Sequence, residues 1–254
     1  MEENTLPAVL HQIRAHRSVR AFSAAPVADD LVRSVVETAQ WASSSSFRQV
    51  YSVIAVRDPA RKQHLRSLCG EQPWVEKAPV FLAFCADLSR LDDVCQAQGL
   101  QVNLEYTETF LMAALDAALV MQNAALAAEA CGLGIVMIGG LRNHPREVAD
   151  LLELPRGVVG ICGMCLGWPV RQPAPRPRLP LDEVLHWETY DRSGRAERLA
   201  EYDRKIVAAG LYPDPNGAPR TWSAVMAAAA SRPPAERGRQ DLREILIERG
   251  FEMK

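Results

Sequence analysis

Apolar residues along the chain keep two rhythms, one helical and one strand-like, and the changes between them mark the elements. A short amphipathic run, Leu6 to Arg14, comes first. Phe22 to Pro26 is a turn, and Asp29 or Asp30 can cap a helix running to about Ala42, with Leu31, Val32, Val35, Val36 and Ala39 at helical spacing. Val50 to Val56 is β-branched and predicts a strand. Pro59 suits the first turn of a helix that ends by Gly70. Pro79 to Ala86 is apolar without a break, the pattern of a central strand covered on both faces. Leu104 to Cys131 is the longest stretch free of Pro and Gly. A helix apolar on most of its sides must be buried in the fold or against a partner subunit. Gly132 and Gly134 end it and lead to a short strand, Ile135 to Ile138, that stops at Gly139-Gly140. Asn143 and Pro145 start a helix to about Leu152, and Val158 to Leu166 is a fourth strand.

Pro169 to Pro180 holds five prolines and three arginines and is a stiff extended loop. Helices follow around Ala196–Ala209, Trp222–Ala230 and Ala235–Glu248, with a loop from Tyr212 to Pro219 and no strand signal in the last third. Four strands alternating with helices give an α/β or α+β fold, the long helix packed across the sheet with a dimer interface on top.

Composition narrows the classes. With 48% hydrophobic and 24% charged residues the chain suits a soluble globular protein, and a formal charge of −2 with no polybasic stripe argues against a nucleic-acid binder. Met1-Glu2-Glu3 is acidic where a leader needs basic residues, and the apolar run Phe110 to Met121 is short for a bilayer and carries Asp116. A cytoplasmic protein without a membrane partner is expected. Six cysteines in mostly apolar settings read as reduced, buried thiols. Cys162-Gly163-Met164-Cys165 sits inside a strand pattern, which points the two thiols to opposite faces, and no second pair exists to complete a zinc site.

No hydrolase nucleophile elbow, zincin helix or P-loop is present, and the glycines from 132 to 139 precede a strand, unlike a dinucleotide fingerprint. Three polar clusters remain: His16-Arg17-Ser18-Val19-Arg20, Ser43 to Ser46, and Arg176-Pro177-Arg178. If the first helical turn continues, Arg17 and Arg20 point the same way and form a dication suited to a phosphate monoester. Each cluster alone also fits an ordinary solvated surface. Together they suit a ligand with a phosphate, a polyhydroxy chain and a flat polar ring.

The motifs His16-Arg17-Ser18-Val19-Arg20, Ser43-Ser44-Ser45-Ser46-Phe47, Ile138-Gly139-Gly140-Leu141-Arg142-Asn143, Gly167-Trp168-Pro169 and Arg176-Pro177-Arg178-Leu179-Pro180, in this order, resemble the FMN-dependent nitroreductases. The likeness is greatest to the major oxygen-insensitive NADPH-dependent type, which includes flavin reductases, and it spans residues 8 to 190. It implies an α+β fold with a central mixed sheet flanked by helices, and an intertwined homodimer with FMN at the subunit interface. The FMN core would occupy residues 1–190, and a helical extension, 191–254, would carry the donor and substrate loop. By the resemblance His16, Arg17, Ser18 and Arg20 hold the phosphate and ribityl chain. Ser44, Ser45 and Ser46 contact the flavin, and Gln72 reaches its ring. Ile138, Gly139 and Gly140 run beside the ring with a backbone N–H at N5. Arg176 stands where a lysine usually faces the pyrimidine edge, and Arg178 matches a phosphate-binding arginine. Phe47 and, across a small alignment gap, Arg232 fall on the substrate side.

The implied activity is hydride transfer from NADH or NADPH through flavin N5 to nitroaromatics, quinones or flavins by a ping-pong cycle. It needs no catalytic side chain beyond the bound FMN and no metal. A cation near N1 favours the reduced flavin, and glycine lets backbone approach the ring. A reductase or dehydrogenase of one dedicated metabolite on the same fold, and a flavin-binding protein without turnover, are the alternatives. The donor loop departs from the NADPH-dependent pattern. Pro213, Ala218 and Pro219 stand where arginines for the 2′-phosphate are expected, which weakens the case for NADPH preference.

Overall fold

Strand β2 (Val80–Asp87) is buried at all eight positions and is the axis of the fold. In the computed structural model, which describes residues 7–214, 217–233 and 238–254, it lies between β1 (Tyr51–Val56) and β4 (Val158–Gly167), with β3 (Gly134–Ile138) beyond β4. The expectation of a central strand covered on both faces is met. All three strand pairings are antiparallel, and among the described residues a single parallel bridge joins Ser18, which belongs to no strand, to Ile135 on the edge of β3. The fold is α+β, but the four-stranded sheet itself is antiparallel where a mixed one was expected.

Alternation along β2 divides the core. Phe81, Ala83 and Cys85 face one cluster, with Leu65 and Leu68 of α3 (Pro59–Leu68), Val75 of α4 (Pro73–Lys77) and Val148 of α7 (Pro145–Leu151). Val80, Leu82 and Phe84 face the other, with Val32 and Val35 of α2 (Asp29–Ala39) and Ala117, Val120 and Ala124 of α6 (Thr107–Ala130). A period of two on a sheet between two helical layers produces this split. Phe251, following α10 (Leu242–Glu248), packs edge-on against Phe110 and closes the end of the sheet with Leu88 and Met112.

Several boundaries differ from expectation. Helix α1 is Ala8–Arg14, and the chain leaves it before His16. Helix α2 stops at Ala39, and neither Asp29 nor Asp30 caps it; both stand in the first turn, where carboxylates favour the helix dipole, and Asp29 also pairs with Arg57. Helices α4 and α5 (Ser89–Ala97) carry weak sequence signals. The last helix is shorter than expected, and residues 235–237 of the predicted span lie outside the described residues. Helix α6 runs well beyond Phe110 to Met121, and by length and composition alone it could cross a membrane. Instead one face covers the sheet, while Leu111, Leu115 and Leu119 form a stripe on another face, 45–54% exposed.

The chain divides into two units, residues 1–173 with 237–254, and residues 174–236. The expected boundary at 190 falls inside the second unit. That unit holds α8 (Arg195–Ala208) and α9 (Trp222–Ala230). Tyr202 packs edge-on against Trp222, Ser223 N–H donates to Asp203, and Glu183 pairs with both Arg195 and Arg198.

Candidate active site

His16 to Arg20 is held along the outer edge of β3. Val19 N–H donates to the Ile135 carbonyl at 2.8 Å, and Val19 is buried against Gly134, where a Cβ would stand 2.8 Å from its methyl carbon. Glycine at 134 is what allows this approach. The segment is extended, so the expected helical pairing of Arg17 with Arg20 does not form: bonding to the sheet edge replaces the helical turn. Arg17 instead donates to the carbonyls of Arg14 and His16, and Arg20 lies over the Trp74 ring at 5.4 Å. From below, Glu129 of α6 takes His16 Nδ1 at 2.7 Å and the Arg17 N–H at 3.4 Å. The Oε2 atom of Glu129 is buried with no hydrogen-bond partner.

Beyond β3, Gly139–Arg142 is a 3₁₀ turn. A Cβ on Gly140 would overlap the Cys69 carbonyl oxygen and stand 2.9 Å from Gln72 Nε2. Gln72 Nε2 donates to that same carbonyl, leaving its carboxamide oxygen for a ligand. Ile138 is buried in the core, so only its backbone can meet one. Arg239 donates to the Gly139 carbonyl at 2.8 Å and to Asn143 Oδ1 at 2.9 Å, locking the turn from the C-terminal segment. The structure thus brings His16–Arg20, Gln72 and Ile138–Gly140 together around β3, Trp74 and the turn after it.

The serine run is anchored elsewhere. Asp116, 2% exposed on α6, accepts from Ser44 Oγ at 2.7 Å, Ser45 N at 2.9 Å and Val50 N at 3.3 Å. Ser44 Oγ also accepts from Gln49 N, so its hydroxyl is engaged within the loop. Ser46, Phe47 and Gln49 have φ of 48°, 58° and 53°, and Phe47 is 83% exposed. Asp116 and Glu129 stand 13 residues apart on one unbroken helix. At a rise of 1.5 Å per residue, the serine loop and His16 are attached about 20 Å apart along α6. One chain therefore does not gather these two clusters at one point.

Arg176, Arg178 and Arg232 belong to the second unit. Arg178 donates to the Arg176 carbonyl, and both line a cavity of about 340 Å³ with Tyr202, Tyr212 and Trp222. Arg232 follows α9.

The nitroreductase family profile matches residues 13–168, and the profile of the nitroreductase family C-terminal domain matches residues 176–254. The chain belongs to the nitroreductase family. Among relatives of this nitroreductase-family chain, an FMN reductase (NAD(P)H) of Bacillus subtilis is 35% identical over 97% of the chain and 98% of its own length. An oxygen-insensitive NADPH nitroreductase of Salmonella typhimurium is 39% identical over 82% and 85%. The solved NADPH:FMN oxidoreductase of Vibrio harveyi, complexed with NAD+, superposes with a TM-score of 0.85 at 34% identity, covering 97% of this chain and 99% of that one.

Four residues of the candidate site escape motif reading: Trp74 beneath Arg20, Arg239 on the Gly139 carbonyl, and the two α6 carboxylates. A visible signal exists only for Asp116, a charge inside an otherwise apolar helical stretch. The thiols take no part. Burial pushes Cys69 and Cys85 up to about 12 and raises Cys162 and Cys165, and all six are free, though Cys131 is exposed, contrary to expectation.

Proposed function

We propose that this chain is an FMN-dependent NAD(P)H oxidoreductase that reduces nitroaromatics, quinones or flavins by a ping-pong cycle, as a cytoplasmic homodimer. The observation that carries the reading is the single ledge on which His16–Arg20, Gln72 and Gly139–Gly140 meet. Its donor set fits FMN. Arg17, Ser18 and Arg20 offer guanidinium and hydroxyl donors for a phosphate, Gln72 offers an amide for a ring edge, and Gly139 is half-buried backbone. Relatives named as FMN reductases and NADPH nitroreductases support the same cofactor and donors.

When bound, FMN supplies two-electron hydride transfer between nicotinamide and acceptor. The chain's own groups bind and orient. Glu129 holds His16 and the Arg17 backbone in place, and Arg17, Ser18 and Arg20 of that extended segment would hold the phosphate. The Gly139–Arg142 turn, locked by Arg239, sets the backbone beside the ring. Ser45 and Ser46 would offer hydroxyls and Phe47 would border the acceptor space. Arg176, Arg178 and Arg232, all in the second unit, keep only the roles that the family resemblance implies: charge for the pyrimidine edge, a grip on phosphate, and the acceptor side. The homodimer reading rests on the 20 Å separation of the two clusters along α6 and on the exposed Leu111, Leu115 and Leu119 stripe. A second copy brings its serine loop to this chain's ledge. Free cysteines throughout suit a reducing compartment.

Steady-state kinetics of the FMN-loaded protein test the cycle. Varying NAD(P)H at several fixed acceptor concentrations gives parallel double-reciprocal lines if donor and acceptor share one pocket in turn. Intersecting lines reject the ping-pong scheme.

A further inference from the structure

We propose that Asp116 is the positioning residue for the Ser44–Gln49 loop, fixing through one buried carboxylate the hydroxyls and the phenyl ring that this loop presents to the flavin and acceptor. The inference rests on the flavin reading above and assigns a role to a residue outside its binding motifs.

The carboxylate works as a clasp. Its Oδ1 takes the Ser45 N–H near the start of the loop, and its Oδ2 takes the Val50 N–H just past the end. Oδ2 also takes the Ser44 hydroxyl, which in turn accepts from Gln49 N–H at 2.7 Å. Both ends of the loop are thereby tied to a point on α6 at which the neighbouring buried side chains are Met112, Ala113, Ala117 and Val120. A carboxylate buried in such surroundings is tolerated only when its hydrogen bonds are made. Between the two ends, Ser46, Phe47 and Gln49 are all left-handed without being glycine. Backbone in this region persists where the surroundings over-determine it. The clasp supplies that constraint, and the result is Phe47 standing out at the apex, 83% exposed.

The geometry calls for a carboxylate and not its amide. With an asparagine oxygen in the Oδ2 position, the Ser45 N–H faces an NH₂ group; with the oxygen at Oδ1, the Val50 N–H does. Either way one backbone donor meets another donor, so the near-isosteric change opens the clasp.

The test uses the full chain. In Asp116→Asn, FMN titrated into apoprotein binds at least tenfold more weakly than in wild type, and trypsin cuts faster after Arg48 within the loop in the absence of flavin. Adding Gln49→Gly, which removes one left-handed non-glycine residue, recovers at least part of the lost affinity. Such rescue is not expected if Asp116 merely supports the fold. Where Asp116→Asn does not accumulate folded, Ser44→Ala removes only the hydroxyl link and gives the same two changes in smaller degree. FMN affinity within twofold of wild type together with unaltered Arg48 cleavage overturns the proposal. A wild type that takes up no FMN overturns the flavin reading itself, and the Arg48 cleavage then reports whether the clasp exists without it.

Discussion

His16 and Glu129 meet at 2.7 Å, imidazole Nδ1 to carboxylate Oε1, and the same oxygen accepts the Arg17 N–H. A carboxylate partner fixes the proton on Nδ1 and leaves Nε2 free to turn toward a ligand. Glu129→Ala removes both bonds. With hydrogen bonds to charged groups contributing roughly 1.5–3 kcal/mol, FMN affinity is expected to fall by about tenfold or more. Glu129→Gln keeps an acceptor and falls between the two. Flavin fluorescence quenching on titration measures both.

Gly140 cannot accept a side chain. A Cβ there overlaps the Cys69 carbonyl oxygen, which is backbone and cannot swing aside, and crowds Gln72 Nε2. Gly140→Ala is expected to cost about 1–3 kcal/mol, as overpacking does, and to displace Gln72 from the ledge. Urea unfolding of the apoprotein gives the first effect, and a changed spectrum of bound flavin the second.

Glu183 carries a pH dependence in the second unit. Desolvation alone raises its pKa, but the hydrogen bonds and charges of Arg198 and Arg195 outweigh it and hold the carboxyl below its ordinary value of 4.5. A carboxyl depressed on folding stabilises the native state above its unfolded pKa and loses that contribution as pH falls through the folded value. Melting temperature should therefore drop as pH falls below the ordinary carboxylate range, and Glu183→Gln should flatten part of that drop. An identical profile in the variant contradicts this.

On the proposed reading, donor choice follows from the loop before α9. Arg220 N–H donates to the Tyr212 carbonyl and closes the loop, while Pro213, Ala218 and Pro219 bring it no positive charge. Without guanidiniums there, a 2′-phosphate gains little over a hydroxyl. The kcat/KM values for NADPH and NADH should lie within about tenfold of each other, a gap of about 1.4 kcal/mol. Replacing Pro213 and Ala218 by arginine should tilt the ratio toward NADPH.

The strands were legible because each is a β-branched or unbroken apolar run: β2 is eight buried residues, and its neighbours differ only in exposure. Helix α5 was not, since its residues are mixed, its N-cap is Leu88 and none of its side chains is fully buried. The motif at 16–20 was readable as chemistry but not as conformation. Helical spacing suggested paired arginines, whereas a bond from Val19 to Ile135, far along the chain, drew the segment onto the sheet edge. The roles of Asp116 and Glu129 stayed hidden for the same reason, because their partners lie 66 to 113 residues away. Arg239 could not be told from Arg232 by sequence; only the fold shows that it is Arg239 that meets the Gly139 carbonyl.

The most direct test of the central claim is the visible absorption spectrum of the purified, FMN-reconstituted protein before and after anaerobic addition of NADH or NADPH. A flavin band that travels with the protein, bleaches with either donor and returns when a nitroaromatic or quinone is added is the predicted result. A protein that takes up no FMN, or whose bound flavin keeps its colour with both donors, contradicts it.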